Sequence, residues 1–365
     1  MKTFQYFKDK FRSKGQRSTP ELTEERKSEE YSGLDRTTRS SFEDVYKGTI
    51  KPADAKGTKE WLAEVQFLGV VEHPNLIKLI GHSAVNGKRE IPRLLVYEFM
   101  QNKSLDYHLF QSAFPPLPWK TRLQIILGAA QGLAYLHEGL AVQVIYRDFK
   151  PSNVLLDDKF NPKLSGFGLA TEGPMAGDTH VSTDVSIVFS VLGVVGTYGY
   201  ADPCYLRTGH LTVKSHIWGF GVVLYEILSG RRSIDRELPQ AKELLLHWVK
   251  RSPAGSKKFI SIMDPGLGNQ YSIGAAREIA RLADACLLTS PEGRPKMSEV
   301  VERLKQIIQV SEEEARTKWK VILRHLNPKS KQDYDSRPMK LWPMLQEIDT
   351  LISQIGTVVF NISPL

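Results

Sequence analysis

Cysteine is scarce in this chain: Cys204 and Cys286 are the two present in 365 residues. One pair cannot build a disulfide framework, so a reducing compartment is expected. Long hydrophobic runs are missing too. No stretch reaches the 18 apolar residues that a spanning helix needs. The longest apolar block, Val185–Gly196, is short and broken by serine and glycine. Met1 is followed by Lys2 with no apolar h-region, so no secretory signal is expected. Lys2 also stands where N-myristoylation needs glycine. The net charge of +8 is spread along the chain, without the dense aromatic–basic interleaving of a single-strand binder. Nucleic acid is therefore not an expected partner.

What is present suits a folded protein. The 41% apolar and 25% charged residues are ordinary for a globular chain. The length allows one large two-lobed domain with tails, or two small domains. The densest basic stretch is Met1–Arg17, where Lys2, Lys8, Lys10, Arg12, Lys14 and Arg17 face Asp9 alone among Phe4, Tyr6, Phe7 and Phe11. Two readings are open: a solvated leader, or a peripheral contact with an anionic membrane, where each basic residue contributes about 1 kcal/mol.

Residues 1–40 are polar and rich in Ser and Thr, and read as a disordered leader. Val45–Ile50 reads as a strand. Lys59–Val71 reads as a helix, with Trp61, Leu62, Val65 and Leu68 at helical spacing. Leu76–Ile80 and Leu94–Phe99 read as strands. Thr121–Glu138, His216–Leu228 and Ile279–Leu288 read as apolar helices. The order is a small β-rich piece, residues 41–100, then a large helical piece, residues 101–310. Residues 311–365 form a tail of unknown role, with an extra helix and disorder both open.

The strongest chemical signal is Val144-Ile-Tyr-Arg-Asp-Phe-Lys-Pro-Ser-Asn153, which has the R-D-x-K-x-x-N spacing of a phosphoryl-transfer loop. Asp148 can orient a substrate hydroxyl and accept its proton. Lys150 can neutralise charge on the phosphoryl group, and Asn153 can give an oxygen to a metal. A polar turn between two strands is the bland alternative.

The loop has company. Val45-Tyr-Lys-Gly48, Glu60-Trp-Leu-Ala-Glu-Val65, His73-Pro-Asn-Leu76, Leu94-Leu-Val-Tyr-Glu-Phe-Met100, Gly132-Leu-Ala-Tyr-Leu-His137, Gly196-Thr-Tyr-Gly-Tyr200 and Gly293-Arg-Pro295 occur in one order over residues 41–310. With them the chain resembles the plant receptor-like cytoplasmic kinases, on the Ser/Thr branch. The resemblance implies an α+β, two-lobed protein-kinase fold. It also implies ATP and Mg as cofactors, cytoplasmic localisation and protein partners in receptor-kinase signalling. It makes Asp148, Lys150 and Asn153 catalytic, and Asn153 a metal ligand. Glu64 becomes the small-lobe glutamate that holds the ATP-contacting lysine. Glu98 and Met100 fall in the adenine-binding hinge, and Tyr97 at the gatekeeper position.

Several motifs depart from that pattern. The three glycines of the phosphate loop are Thr38, Ser40 and Glu43 here, and side chains keep backbone amides away from phosphate. The strand bearing the ATP lysine is missing: Lys51–Thr58 is polar, contains Pro52 and Gly57, and reads as a loop. Lys51 and Lys56 lack the apolar frame that would aim them. Ser165-Gly-Phe-Gly168 stands where the family has D-F-G, so Gly166 replaces the metal aspartate. Ala201-Asp-Pro-Cys204 replaces A-P-E, so Arg294 is expected to lose its glutamate partner. His216 replaces the aspartate that steadies the catalytic loop. Thr183–Val194 carries an extra apolar block. It is either an acquired loop or, with the lost strand, the mark of a misassembled gene. These losses point to a truncated small lobe, a largely complete helical lobe and impaired catalysis, with weak or absent ATP binding. An active Ser/Thr kinase and a decayed product are the alternatives.

Overall fold

The computed structural model describes residues 55–83, 93–111, 115–174, 180–182, 197, 199–268 and 270–326. The leader, the expected strand at Val45–Ile50, the phosphate-loop positions, the whole of the extra block Thr183–Val194 and residues 327–365 lie outside the described residues.

The small lobe consists of one helix and two strands among the described residues. Helix α1 spans Ala55–Leu68. It begins inside the segment expected to be a loop. Gly57 falls within its first turn, and Pro52 precedes it. The buried face also differs from expectation in part. Of the expected positions Val65 and Leu68 are buried, Trp61 is half-buried and Leu62 is exposed, and Ala63, Glu64 and Phe67 are buried beside them. The face is turned because α1 packs on the turn Phe167–Leu169 as well as on the sheet. Strands β1 (Leu79–Ser83) and β2 (Leu94–Tyr97) pair antiparallel, with a bulge between Leu79 and Gly81. The expected strand at Leu76–Ile80 is therefore shifted towards the C-terminus, and Leu76 instead bridges to Leu164. The Trp61 indole donates to the Leu94 carbonyl (3.1 Å) and ties β2 to α1.

The large lobe is helical, as its sequence pattern indicates. Helix α2 is Leu105–Phe110 and α3 is Trp119–Glu138. Short strands follow: β3 (Val144–Ile145), β4 (Val154–Leu156), β5 (Pro162–Leu164), β6 (Thr171–Glu172) and β7 (Val181–Ser182). Pairing of β4 with β5 and of β3 with β6 makes two small ribbons that carry the catalytic loop and the Ser165–Gly168 turn. Gly132 lets α3 approach closely: a Cβ there would lie 2.9 Å from the Asn75 carbonyl.

Next come α4 (Pro203–Thr208), β8 (His210–Leu211) and α5 (Val213–Ser229). Helix α5 is nearly all buried, as expected of an apolar helix at the centre of a lobe. A reciprocal cap between Thr212 and Ser215 starts it, and Gly230 in the left-handed region ends it. Helices α6 (Gln240–Glu243), α7 (Leu245–Val249) and α8 (Ile273–Cys286) follow, α8 packing along α5. Helix α9 runs Met297–Leu326, so helix carries on through the charged stretch after Ser311. Arg122 on α3 is buried and donates to the carbonyls of Leu117 and Ile227 and to Asp264. No helix of the described residues is long and apolar enough to cross a membrane.

Candidate active site

The catalytic loop leaves β3 and reaches β4 through a single 3-10 turn, Pro151–Asn153. Arg147 takes a left-handed conformation (φ 73°), which turns Asp148 out of the strand direction. Around Asp148 the three residues expected to be catalytic, Asp148, Lys150 and Asn153, come together. Its Oδ2 lies 2.7 Å from Lys150 Nζ and accepts from Asn153 Nδ2 at 2.9 Å. Asn153 Nδ2 also reaches the Asp148 carbonyl at 2.7 Å. Thr197 completes the ring: its hydroxyl donates to Asp148 Oδ1 (2.8 Å) and accepts from Lys150 Nζ (2.7 Å). Thr197 was legible only as part of Gly196-Thr-Tyr-Gly-Tyr200. Its contact with Asp148 spans 49 residues, and no local pattern encodes it.

The metal position fits poorly. Gly166 has φ 77° and no side chain, and a Cβ there would meet the Asn153 amide at 3.0–3.2 Å. Asn153 offers one amide oxygen, while Asp148 is engaged with three donor groups. Magnesium needs near-octahedral oxygens, so these residues do not fit an ion held by the protein at this place. Among the described residues no cluster of three His, Cys, Asp or Glu side chains could hold a metal.

Glu64 is 8% exposed and sits on the inner face of α1. Its carboxylate accepts from the Tyr97 hydroxyl (3.0 Å) and from the Gly168 amide (2.9 Å). No cation among the described residues pairs with it. Burial pushes its pKa up to about 7, against the lowering effect of those two hydrogen bonds. Tyr97, read from the sequence as gatekeeper, is therefore also the partner of Glu64. At the segment expected to be the hinge, Glu98 accepts from the Lys78 amide (2.7 Å) and pairs with Lys163 (3.0 Å). Its side chain braces the small lobe against β5. Met100 is buried and its carbonyl accepts from Lys103 N.

Two expected losses are made good. Arg294 has not lost its carboxylate. Asp202, two residues before Cys204, takes both guanidinium ends at 2.7 and 2.8 Å, with both side chains almost fully buried. The rest of the fork donates to the carbonyls of Leu288, Lys214 and Thr289. Asp202 also caps α4 through the Cys204 amide. His216 likewise fills the aspartate's place. Its Nε2 accepts the Arg147 amide at 2.8 Å, so its own proton lies on Nδ1 and is donated to His137 Nε2 at 2.9 Å. The proton left on His137 Nδ1 has no partner.

That pair is acid-sensitive. Burial holds the His137 pKa down to about 3, with Lys214 adding to it, and holds His216 well below its ordinary value, with His137 and Arg147 adding to it. A histidine whose folded pKa lies below its unfolded 6.5 binds its proton more readily when unfolded, so stability falls as pH drops below 6.5. The loss is at most about 1.4 kcal/mol per histidine per pH unit. Glu64 and Glu226, raised to about 7 and about 8, act the other way, losing stability as pH rises from 4.5 towards those values. A difference measurement removes them. The stability of His216→Asp relative to the parent is expected to rise by about 1 kcal/mol or more between pH 6.5 and pH 4.5. Parallel urea-unfolding curves over that range would refute it.

With this geometry the comparisons have a clear meaning. A protein kinase domain matches residues 34–304. The chain belongs to the protein kinase family. It is 49% identical over 256 residues to the serine/threonine-protein kinase PCRK1 of Arabidopsis thaliana, covering 70% of this chain and 59% of that one. It is 52% identical over 259 residues to the probable serine/threonine-protein kinase PBL20 of the same plant, covering 71% and 63%. The chain thus spans about six-tenths of the length of these relatives. Its kinase domain is of the plant receptor-like cytoplasmic type.

Proposed function

We propose that this kinase domain is a pseudokinase, acting by binding protein partners of a receptor-kinase pathway rather than by transferring phosphate. The observation that carries this reading is Gly166, which has no carboxylate to offer a metal and stands beside the single amide oxygen of Asn153. The absent phosphate-loop glycines support it. The deciding measurement compares Mg-ATP with adenosine as stabilisers of the folded chain.

A second reading has an observation of its own. The Asp148–Lys150–Thr197–Asn153 ring is intact and would suit an active Ser/Thr kinase. Under that reading phosphorylation of a generic Ser/Thr substrate would be abolished by Asp148→Asn.

The proposed place of action is the cytoplasm, with residues 1–17 against an anionic membrane. Six basic residues interleaved with four aromatics motivate this. Deleting residues 1–17 should lower binding to vesicles containing phosphatidylserine, and added salt should weaken what the full chain shows. Equal sedimentation of both chains with the vesicles would refute the contact.

A further inference from the structure

Strands β7 and β8 form a ribbon of two residue pairs, Val181 with Leu211 and Ser182 with His210. One side of the ribbon is tied down. Leu211 is buried with Ile145 and Tyr205, and Val181 and Val213 pack against them. β8 is also fixed at its far end, where Thr212 caps α5. Side chains alternate along a strand, so the residues flanking Val181 and Leu211 turn to the other side. There His180 and His210 meet across the ribbon. Their rings stack with centroids 3.7 Å apart and planes 26° apart. His180 is half-buried and His210 is exposed. Continuing the register puts His180 opposite Thr212, so the two histidines are diagonal neighbours, within reach of ring side chains.

We propose that His180 and His210 together bind a divalent transition-metal ion of the zinc type, which clamps β7 to β8. The donor chemistry selects that class of ion. Imidazole nitrogen suits zinc, copper and nickel, whereas magnesium takes oxygen. The spacing fits as well. Zinc holds each imidazole nitrogen at about 2.0–2.1 Å, so two of them on one tetrahedral ion stand about 3.3 Å apart. Rings stacked 3.7 Å apart and nearly parallel bring like edges close to that spacing. The strand register already sets the two rings side by side, so little side-chain freedom remains to be lost on binding. The exposure of His210 leaves the other coordination positions to water. A ribbon of two residue pairs has few bonds of its own, so a cross-link at this point should be felt in its opening. Neither histidine belongs to the ring around Asp148, so the clamp stands or falls independently of the pseudokinase reading.

The test is calorimetric titration of the full chain with Zn²⁺ alone near pH 7. One ion should bind per chain. His180→Gln and His210→Gln should each weaken that binding at least tenfold, because a single remaining imidazole no longer chelates. Cys204→Ala and His247→Ala remove a half-buried thiol and an exposed imidazole elsewhere in the lobe, and should leave binding unchanged. A large excess of Mg²⁺ should not compete. Absence of Zn²⁺ binding overturns the proposal, as does binding that survives His210→Gln, that is lost with Cys204→Ala or His247→Ala, or that Mg²⁺ displaces. Hydrogen exchange gives a second readout that needs no variant to fold. Saturating Zn²⁺ should slow exchange across the Val181–Leu211 pair at least fivefold in the unaltered chain, and equal rates with and without the ion would overturn the clamp.

Discussion

Mg-ATP at millimolar concentration is expected to raise the melting temperature of this chain no more than adenosine does. A ligand specific to the folded state stabilises it by about 2.7 kcal/mol at a hundredfold excess over its dissociation constant. The hinge around Glu98 and Met100 could still take an adenine, which both ligands share. The phosphates would find side chains in place of glycines at Thr38, Ser40 and Glu43, and no metal carboxylate at Gly166. Losing one well-placed charge-stabilising group costs about 10²–10³ in rate. Several are missing here, so a normal turnover of about 1–100 s⁻¹ should fall to background. Gly166→Asp alone should not restore it. The left-handed backbone there tolerates aspartate better than most residues, but its Cβ would press on the Asn153 amide that holds Asp148. A temperature rise specific to Mg-ATP, or transfer that Asp148→Asn abolishes, would overturn the pseudokinase reading.

Asp202→Ala should be the most damaging single change in the helical lobe, at about 3–5 kcal/mol. The mutation leaves the Arg294 guanidinium, 2% exposed, with carbonyls alone as acceptors. It also removes the cap of α4, which contributes about 1 kcal/mol more. Cys204→Ala is the comparator. Cys204 is half-buried and its hydrogen bonds run through its backbone, so its cost should stay under about 1 kcal/mol. Urea unfolding followed by circular dichroism measures both. Equal midpoints for the two variants would mean that Asp202 does not carry the pair.

The convergence of Asp148, Lys150 and Asn153 was legible because they sit within six residues of one another on one turn. Local spacing encodes such a cluster, and Asp148, Lys150 and Asn153 do converge. The replacement partners were not legible. Arg294 looked orphaned because the expected glutamate position holds Cys204. The carboxylate that compensates is offset by two residues and meets Arg294 across 92 positions. His216 looked like a loss because its charge differs from aspartate. What the Arg147 amide needs is an acceptor, and a neutral imidazole nitrogen supplies one. On α1, Val65 and Leu68 are buried as expected but Leu62 is exposed, because periodicity gives the width of an apolar stripe, while the packing partner sets where it points.

The sequence by itself determined the family, the order of the two lobes and the helices of the large one. Long apolar periodicities and closely spaced motifs are local properties that the chain writes out in order. It also determined that glycine stands at position 166 and that Lys51–Thr58 carries no strand pattern. Tertiary structure decided the rest: Thr197 closing the ring on Asp148, Tyr97 on Glu64, Asp202 on Arg294, and His216 beneath the catalytic loop. Each is a hydrogen bond between groups far apart in the chain. Burial makes an unmet donor or acceptor costly, so the fold settles on whichever nearby side chain can meet it.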